Sequence, residues 1–322
     1  MKNLLLIEGN GLAYRNFFSH KDLSIKENDK THFTGMQYGV LNSLVTMNKE
    51  FNPDRIIIVW DGSSQRRKKL YAGYKRKRME KREKERKELA KLLELSPDTP
   101  VHNFIKEFEE TKNLINLIGV QQIQDMKEEA DDVIGSIVHS LPDYKIMIAS
   151  NDHDFNQLLK KDRVEQYINI TNRNYHKSKI VTYESFYEEH KINPKFYPNV
   201  LAIGGDSTDE YPGVKGISEE TAFRIVKEFG PKLSSVIESA KKQRIKPDRY
   251  SRYIVRDEGM IYIFKKLSKI IPDLKIPPDI EDKNDHKLLT FKLKELRFHS
   301  MLFKDSFSEL IALKKKNVIF HK

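Results

Sequence analysis

The sequence predicts an α/β fold: a mainly parallel central sheet flanked by helices, followed by a smaller helical domain. Three observations carry this. Short apolar runs stand at 4–8 ("LLLIE"), 55–61 ("RIIIVWD") and 144–152 ("YKIMIASND"), each bounded by polar residues. Helix-like sequence separates them, the alternation that places parallel strands under covering helices. From about residue 200 the strand signals fade, and helical patterning continues through turns at "YPGVKG" and "IIPDLKIPPD".

The elements follow in chain order. "LLLIE" reads as the first buried strand. "TGMQYGVLNSLVTMNKEF" (34–51) sets Tyr38, Leu41, Leu44 and Val45 at helical spacing. "RIIIVWD" is the second strand. After the break "SPDTP", residues 102–119 read as a helix. A helix beginning near Glu129 puts Glu129 and Asp132 on a shared face, with Asp131 free to point elsewhere. "YKIMIASND" is the third strand. A chain of 322 residues suggests about two domains. We expect them at 1–200 and 201–322.

Composition narrows the chemistry. No cysteine is present, which excludes disulfides, thiolate catalysis and cysteine zinc sites. No apolar run reaches the roughly 20 residues that cross a bilayer. The start "MKNLLLIEGN" is too short and too soon acidic for a secretory signal. A soluble, intracellular, cytoplasmic monomer is expected. The net charge is +11, and residues 66–87 hold thirteen Lys or Arg against three Glu, so this one segment accounts for +10. Such a segment is often only a solvated helix. Here the part through Arg78 has no compensating acid, and Tyr71 and Tyr74 interleave with the bases, which favours phosphate and nucleic-acid contact.

The acids point the other way. Each predicted strand runs into a carboxylate: Glu8, Asp61 and Asp152. Sites in open parallel sheets form at these strand ends. Asp154 follows Asp152, "EEADD" crowds Glu129, Asp131 and Asp132 together, and Asp206 and Asp209 sit in "GGDSTDEYPG". A single acid before a helix is usually a cap. A converging set would repel itself unless cations intervened. Oxygen ligands without Cys suit Mg²⁺ or Mn²⁺, and two ions roughly 4 Å apart suit phosphodiester hydrolysis. His153 is expected to turn away from its acidic neighbours.

These residues resemble the 5′-nuclease superfamily, which includes flap endonucleases, the 5′-nuclease domain of bacterial DNA polymerase I, and stand-alone bacteriophage 5′–3′ exonucleases, some called RNase H. The resemblance runs in order: "LLLIEGNGLAYRNFF", "FTGMQYGVLNSL", "WDGSSQRRKKLYAGYKRKR", "EEADDVIGSI", "IASNDHDFNQLL", "GGDSTDEYPGVKGISEETAFRIVKEFG" and "LKELRFHSML". It implies a PIN-like nuclease domain with a basic helical arch at about 62–100 and a helix–three-turn–helix at about 205–230. It implies one metal group of Glu8, Asp61, Glu129 and Asp131, and another of Asp132, Asp152, Asp154, Asp206 and Asp209. Arg67 and Lys75 match arch bases that neutralise the scissile phosphate, and Arg78 matches a further arch base. "GVKGIS" matches a hairpin that grips duplex backbone through Gly213, Lys215 and Gly216, with a K⁺ site at its carbonyls.

The implied substrates are duplex DNA with a 5′ flap, nick or RNA primer, in replication or repair. Replication proteins such as a single-strand-binding protein are the implied partners, in a host cytoplasm if a bacteriophage encodes the chain. Two departures stand out: Glu8 replaces the usual Asp, and Ser218 replaces a usual Gly. Trp60 stands where Phe is usual and is expected to pack in the core. The rivals are a DNA-binding protein with an impaired metal site and a PIN-type ribonuclease. The hairpin and the long basic arch argue against the second.

Overall fold

The computed structural model describes residues 1–27, 30–81, 84, 100–172, 175–280, 285–303 and 305–312. Its central sheet has six strands in the order β5-β4-β1-β6-β7-β8. They are β1 (Lys2–Glu8), β4 (Arg55–Trp60), β5 (Gln121–Gln124), β6 (Tyr144–Ala149), β7 (Val164–Asn172) and β8 (Tyr175–Val181). A separate antiparallel hairpin pairs β2 (Ser24–Glu27) with β3 (Lys30–Phe33). In the main sheet every pairing is parallel except β7 with β8.

Strand β1 lies between β4 and β6, so successive crossovers leave it in opposite directions. The crevice at such a reversal opens at the carboxyl ends of the strands. Alternation along the strands feeds two cores. Leu5, Ile7, Ile56, Ile58 and Trp60 face helices Gly35–Phe51 and Pro100–Ile118. Leu4, Leu6, Ile57 and Val59 face helix Ala130–Ser140. Trp60 is in the core, as expected, and its indole N–H donates to Gln122 Oε1 at 2.8 Å.

A third core belongs to the helical part. Helices Tyr197–Gly204, Glu219–Phe229, Leu233–Lys241, Asp248–Arg256 and Glu258–Ser268 bury Val200, Ile203, Ile225, Val236, Ile254 and Phe264 together. The expected division into 1–200 and 201–322 needs correction. Leu289, Leu293, Phe298, Met301, Phe307 and Leu310 return to the first core, beside Leu41 and Leu44. Among the described residues, their apolar faces join the core formed with helices Gly35–Phe51 and Pro100–Ile118. The arch is described only through residue 81, at residue 84 and again from residue 100; the rest of the expected span lies outside the described residues.

Candidate active site

Glu8 ends β1, Asp61 follows β4, and Asp152 follows β6, so the sheet itself brings three acids to one edge. Glu8 accepts from Ser150 Oγ at 2.5 Å. The Asp61 carboxylate accepts from the amide of Ala130 at 3.0 Å, at the start of helix Ala130–Ser140. Asp152 caps the next turn by accepting from the amide of Asp154 at 2.9 Å. Helix Tyr197–Gly204 delivers a loop in which Asp206 Oδ1 accepts from the amides of Thr208 (2.6 Å) and Asp209 (3.1 Å). Carboxylate oxygens of Asp154, Asp206 and Asp209 all lie within 4.8 Å of one another. They line a cleft of about 660 Å³ that also touches Glu8 and Asp152.

The cations enter from the arch. Arg67 is only 2% exposed. Its guanidinium donates to Asp131 Oδ2 at 2.8 Å, Asp132 Oδ1 at 3.0 Å and the Leu267 carbonyl at 3.0 Å, and it also pairs with Glu129. Lys75 Nζ donates to Glu129 Oε1 at 2.7 Å and meets Asp209 Oδ1 at 3.2 Å, with its side chain 20% exposed. Ser64 Oγ and the Tyr74 hydroxyl complete the shell of Glu129, at 2.5 and 2.8 Å.

Protonation follows this division. Burial alone would raise Glu129, but Lys75 and Arg67 outweigh it and hold the carboxyl down at about 2. Most other acids move upward, including Asp209 and Asp132, which themselves meet Lys75 and Arg67. Burial, with Asp61 and Asp152 nearby, pushes Glu8 up to about 7 despite the Ser150 bond. Burial pushes Asp209 up to about 6 against the pull of Lys75. Asp154 is raised further, by burial and then by Asp152, Asp209 and Asp206. Burial and Asp131 raise Asp152 as well, although its carboxylate accepts from the Asp154 amide. Lys75 would be lowered by burial, yet Asp209, Glu129 and Asp131 hold it above its ordinary range. Acids this close stay ionised together only with added positive charge.

Several expectations are corrected. Asp132 does not face the cleft: its side chain is fully buried between Arg66 (2.7 Å), Arg67 and the Ile271 amide (2.8 Å). Asp131 is the member of the pair whose charge bears on Asp61, Asp152 and Asp154. Arg67, matched to the arch bases that neutralise the scissile phosphate, is enclosed by carboxylates. Tyr74 is 1% exposed, so its ring offers no stacking face. Tyr71 is half-buried and packs edge-on against Phe264. Arg78 and Lys215 are exposed. His153 does not turn away but is exposed at the rim of the cleft.

The two hairpin glycines part company. Both have left-handed φ, +61° at Gly213 and +78° at Gly216. A Cβ on Gly213 would stand 2.3 Å from the Gly205 nitrogen, whereas one on Gly216 would meet nothing within 4 Å. Gly213 therefore serves close packing inside the protein, and only Gly216 leaves backbone open to a ligand. Ser218 is explained as the N-cap of helix Glu219–Phe229, accepting from the Thr221 amide at 3.3 Å. We expect Gly213→Ala to cost on the order of 3 kcal/mol or more, and Gly216→Ala about 1 kcal/mol. Urea denaturation midpoints check this, and equal costs would contradict it.

Sequence reading missed Arg15, Ser64 and Ser150. Arg15 lies seven residues after Glu8 on helix Gly9–Ser19, hence near the same face two turns on. It lines a larger neighbouring cleft of about 940 Å³ with His20, Lys21 and Lys177. That spacing was the available signal; the two serines carried none.

Two family models match successive parts of the chain. Residues 3–191 match the "5'-3' exonuclease, N-terminal resolvase-like domain", and residues 192–290 match the "5'-3' exonuclease, C-terminal SAM fold". It is 32% identical to a 5′–3′ exonuclease of Bacillus subtilis over 231 residues, 70% of each chain. It is 28% identical to one from Aquifex aeolicus over 309 residues, 94% of each. Among solved structures, the bacteriophage T5 flap endonuclease, in a pseudo-enzyme–product complex with DNA and metal ions, superposes with a TM-score of 0.65 at 18% identity. That match covers 98% of this chain and 100% of the other. With the acids gathered at the sheet's carboxyl edge and a helical unit closing one side of the cleft, the chain belongs to the 5′–3′ exonuclease family of 5′ nucleases.

Proposed function

We propose that this protein is a divalent-metal-dependent 5′ nuclease that hydrolyses phosphodiesters at DNA 5′ ends, flaps, nicks or RNA primers. The observation that carries this is the convergence of Asp154, Asp206 and Asp209 beside Lys75 in one open cleft. The donor set fits hard cations: it is all carboxylate, and most of its members are raised by burial and by one another. Asp154, Asp206 and Asp209 would hold one ion, and Glu8, Asp61, Asp131 and Asp152 would serve a second with Mg²⁺ or Mn²⁺. Bound ions supply Lewis-acid activation of water and charge neutralisation at the phosphoryl oxygens.

The chain's own residues supply the rest. Among the described arch bases, Lys75 reaches Asp209 beside the cleft and would stabilise charge growing on the scissile phosphate. Arg67 holds Glu129, Asp131 and Asp132 in register. Exposed Arg78 guides the strand. Lys215 and the open backbone at Gly216 contact duplex phosphates, and K⁺ binding at the hairpin carbonyls belongs to the same reading.

Digestion of a 5′-labelled flap, a nicked duplex and an RNA-primed template, with Mg²⁺ or Mn²⁺ and with chelator, tests the assignment. Cleavage that chelator abolishes is expected. Glu8 gives the sharpest comparison, because its longer side chain stands where family members carry Asp. Its carboxylate still faces Asp61 and Asp152. We expect Glu8→Asp to keep or increase cleavage and Glu8→Ala to reduce it about tenfold or more. A wild type that cuts nothing with either ion, beside an active Glu8→Asp variant, would establish a DNA-binding protein with an impaired site.

A further inference from the structure

We propose that Glu210 is a positioning residue that docks the base of the basic arch onto the acid-bearing loop and thereby keeps Lys75 at the cleft. This rests on the reading of Lys75 given above, but the docking itself can be tested without it.

Residues 76–81 are helical. The first amides of any helix lack an intrahelical partner and need an acceptor from elsewhere. Local sequence offers none: residues 71–78 read "YAGYKRKR", without Ser, Thr, Asp or Asn to act as a cap. Glu210 fills the gap from 133 and 132 positions away. Its Oε2 accepts from the Lys77 amide at 2.8 Å, and its Oε1 accepts from the Arg78 amide at 3.0 Å. A carboxylate is the preferred charge at a helix N-terminus.

The other end of this link is fixed. Asp206 and Tyr211 exchange backbone hydrogen bonds of 2.9 and 3.1 Å, which closes the loop carrying Asp209 and Glu210. Glu210 sits at φ +60°, a left-handed conformation that a residue with a side chain holds only where its surroundings fix it. One residue back, the Asp209 carbonyl accepts from the Lys75 amide at 3.1 Å. Lys75 is itself at φ +50°. Three arch amides, those of Lys75, Lys77 and Arg78, are thus held by two consecutive loop residues. The Lys75 ammonium then falls between Glu129 and Asp209. Position of the cation and position of the acid loop become one variable.

Hydrogen exchange on the free protein tests the docking, with Glu210→Ala, Glu210→Gln and Glu210→Asp compared with wild type. In Glu210→Ala the Lys77 and Arg78 amides should exchange about tenfold faster, while amides of β1 and β6 keep their protection. Glu210→Asp should restore part of the protection. Turnover of a nicked duplex should fall about tenfold in kcat, with KM nearly unchanged, because the cation is misplaced but not lost. Unchanged exchange at Lys77 and Arg78 in Glu210→Ala would overturn the proposal, as would an effect on KM alone. If wild type cleaves nothing while the exchange behaves as described, the nuclease assignment fails and the docking stands. If wild type cleaves and the exchange does not move, only the docking fails.

Discussion

Lys75→Ala should lower flap cleavage by about 10²- to 10³-fold, the usual cost of one preorganised donor to a developing phosphoryl charge. Duplex affinity, read by fluorescence anisotropy with chelator, should change little. The reason is geometric. Lys75 is mostly enclosed and already paired with Glu129 and Asp209, so it adds little to the long-range field that recruits DNA. The exposed bases of the arch supply that field. The fold should survive the change, because Arg67 still pairs with Glu129. An equal loss of affinity and turnover would place Lys75 among the recruiting bases instead.

Arg67→Ala should act on stability before it acts on chemistry. Removing one partner of a buried charge network costs roughly 3–5 kcal/mol, because the remaining charges lose their compensation. Here three carboxylates and the Leu267 carbonyl would be left. The pH dependence gives a second reading. Glu129 is held at about 2 in the folded protein against an ordinary 4.5. A depressed acid contributes stability above its unfolded value and loses it as pH falls through the folded one. Without Arg67 part of that depression disappears. The deficit of the variant should therefore be largest near neutrality and narrow as pH falls from about 4.5 toward 2. Urea titrations in chelator across that range check this; a deficit independent of pH would mean that Arg67 acts by packing alone.

What could be read from the sequence followed burial. Strands β1, β4 and β6 were legible because they are covered on both faces and so are apolar throughout. "QQIQ" (β5) and the pair β7 and β8 were not. The first is short and polar, and the last two carry sequences such as "YHKSKIV" with little periodicity. Neighbouring strands hold them in place. The acids were legible because a charged residue directly after an apolar run is conspicuous. Their pairing was not. Asp132 turns from the cleft because of Arg67, 65 positions earlier, and an Ile271 amide 139 positions later. The burial of Tyr74 depends in the same way on Glu129, across 55 positions. Spacing along a helix cannot reveal partners so distant in the chain.

The return of residues 289–310 to the first core bears on how the polypeptide is made. Domains ordinarily fold in the order in which they leave the ribosome, amino-terminal first. Here the surface of helix Gly35–Phe51 waits for Phe298, Phe307 and Leu310 before it is covered. Synthesis interrupted after the helical unit would release a chain with all nine acids but an open core. Such a fragment would be prone to chaperone capture and proteolysis.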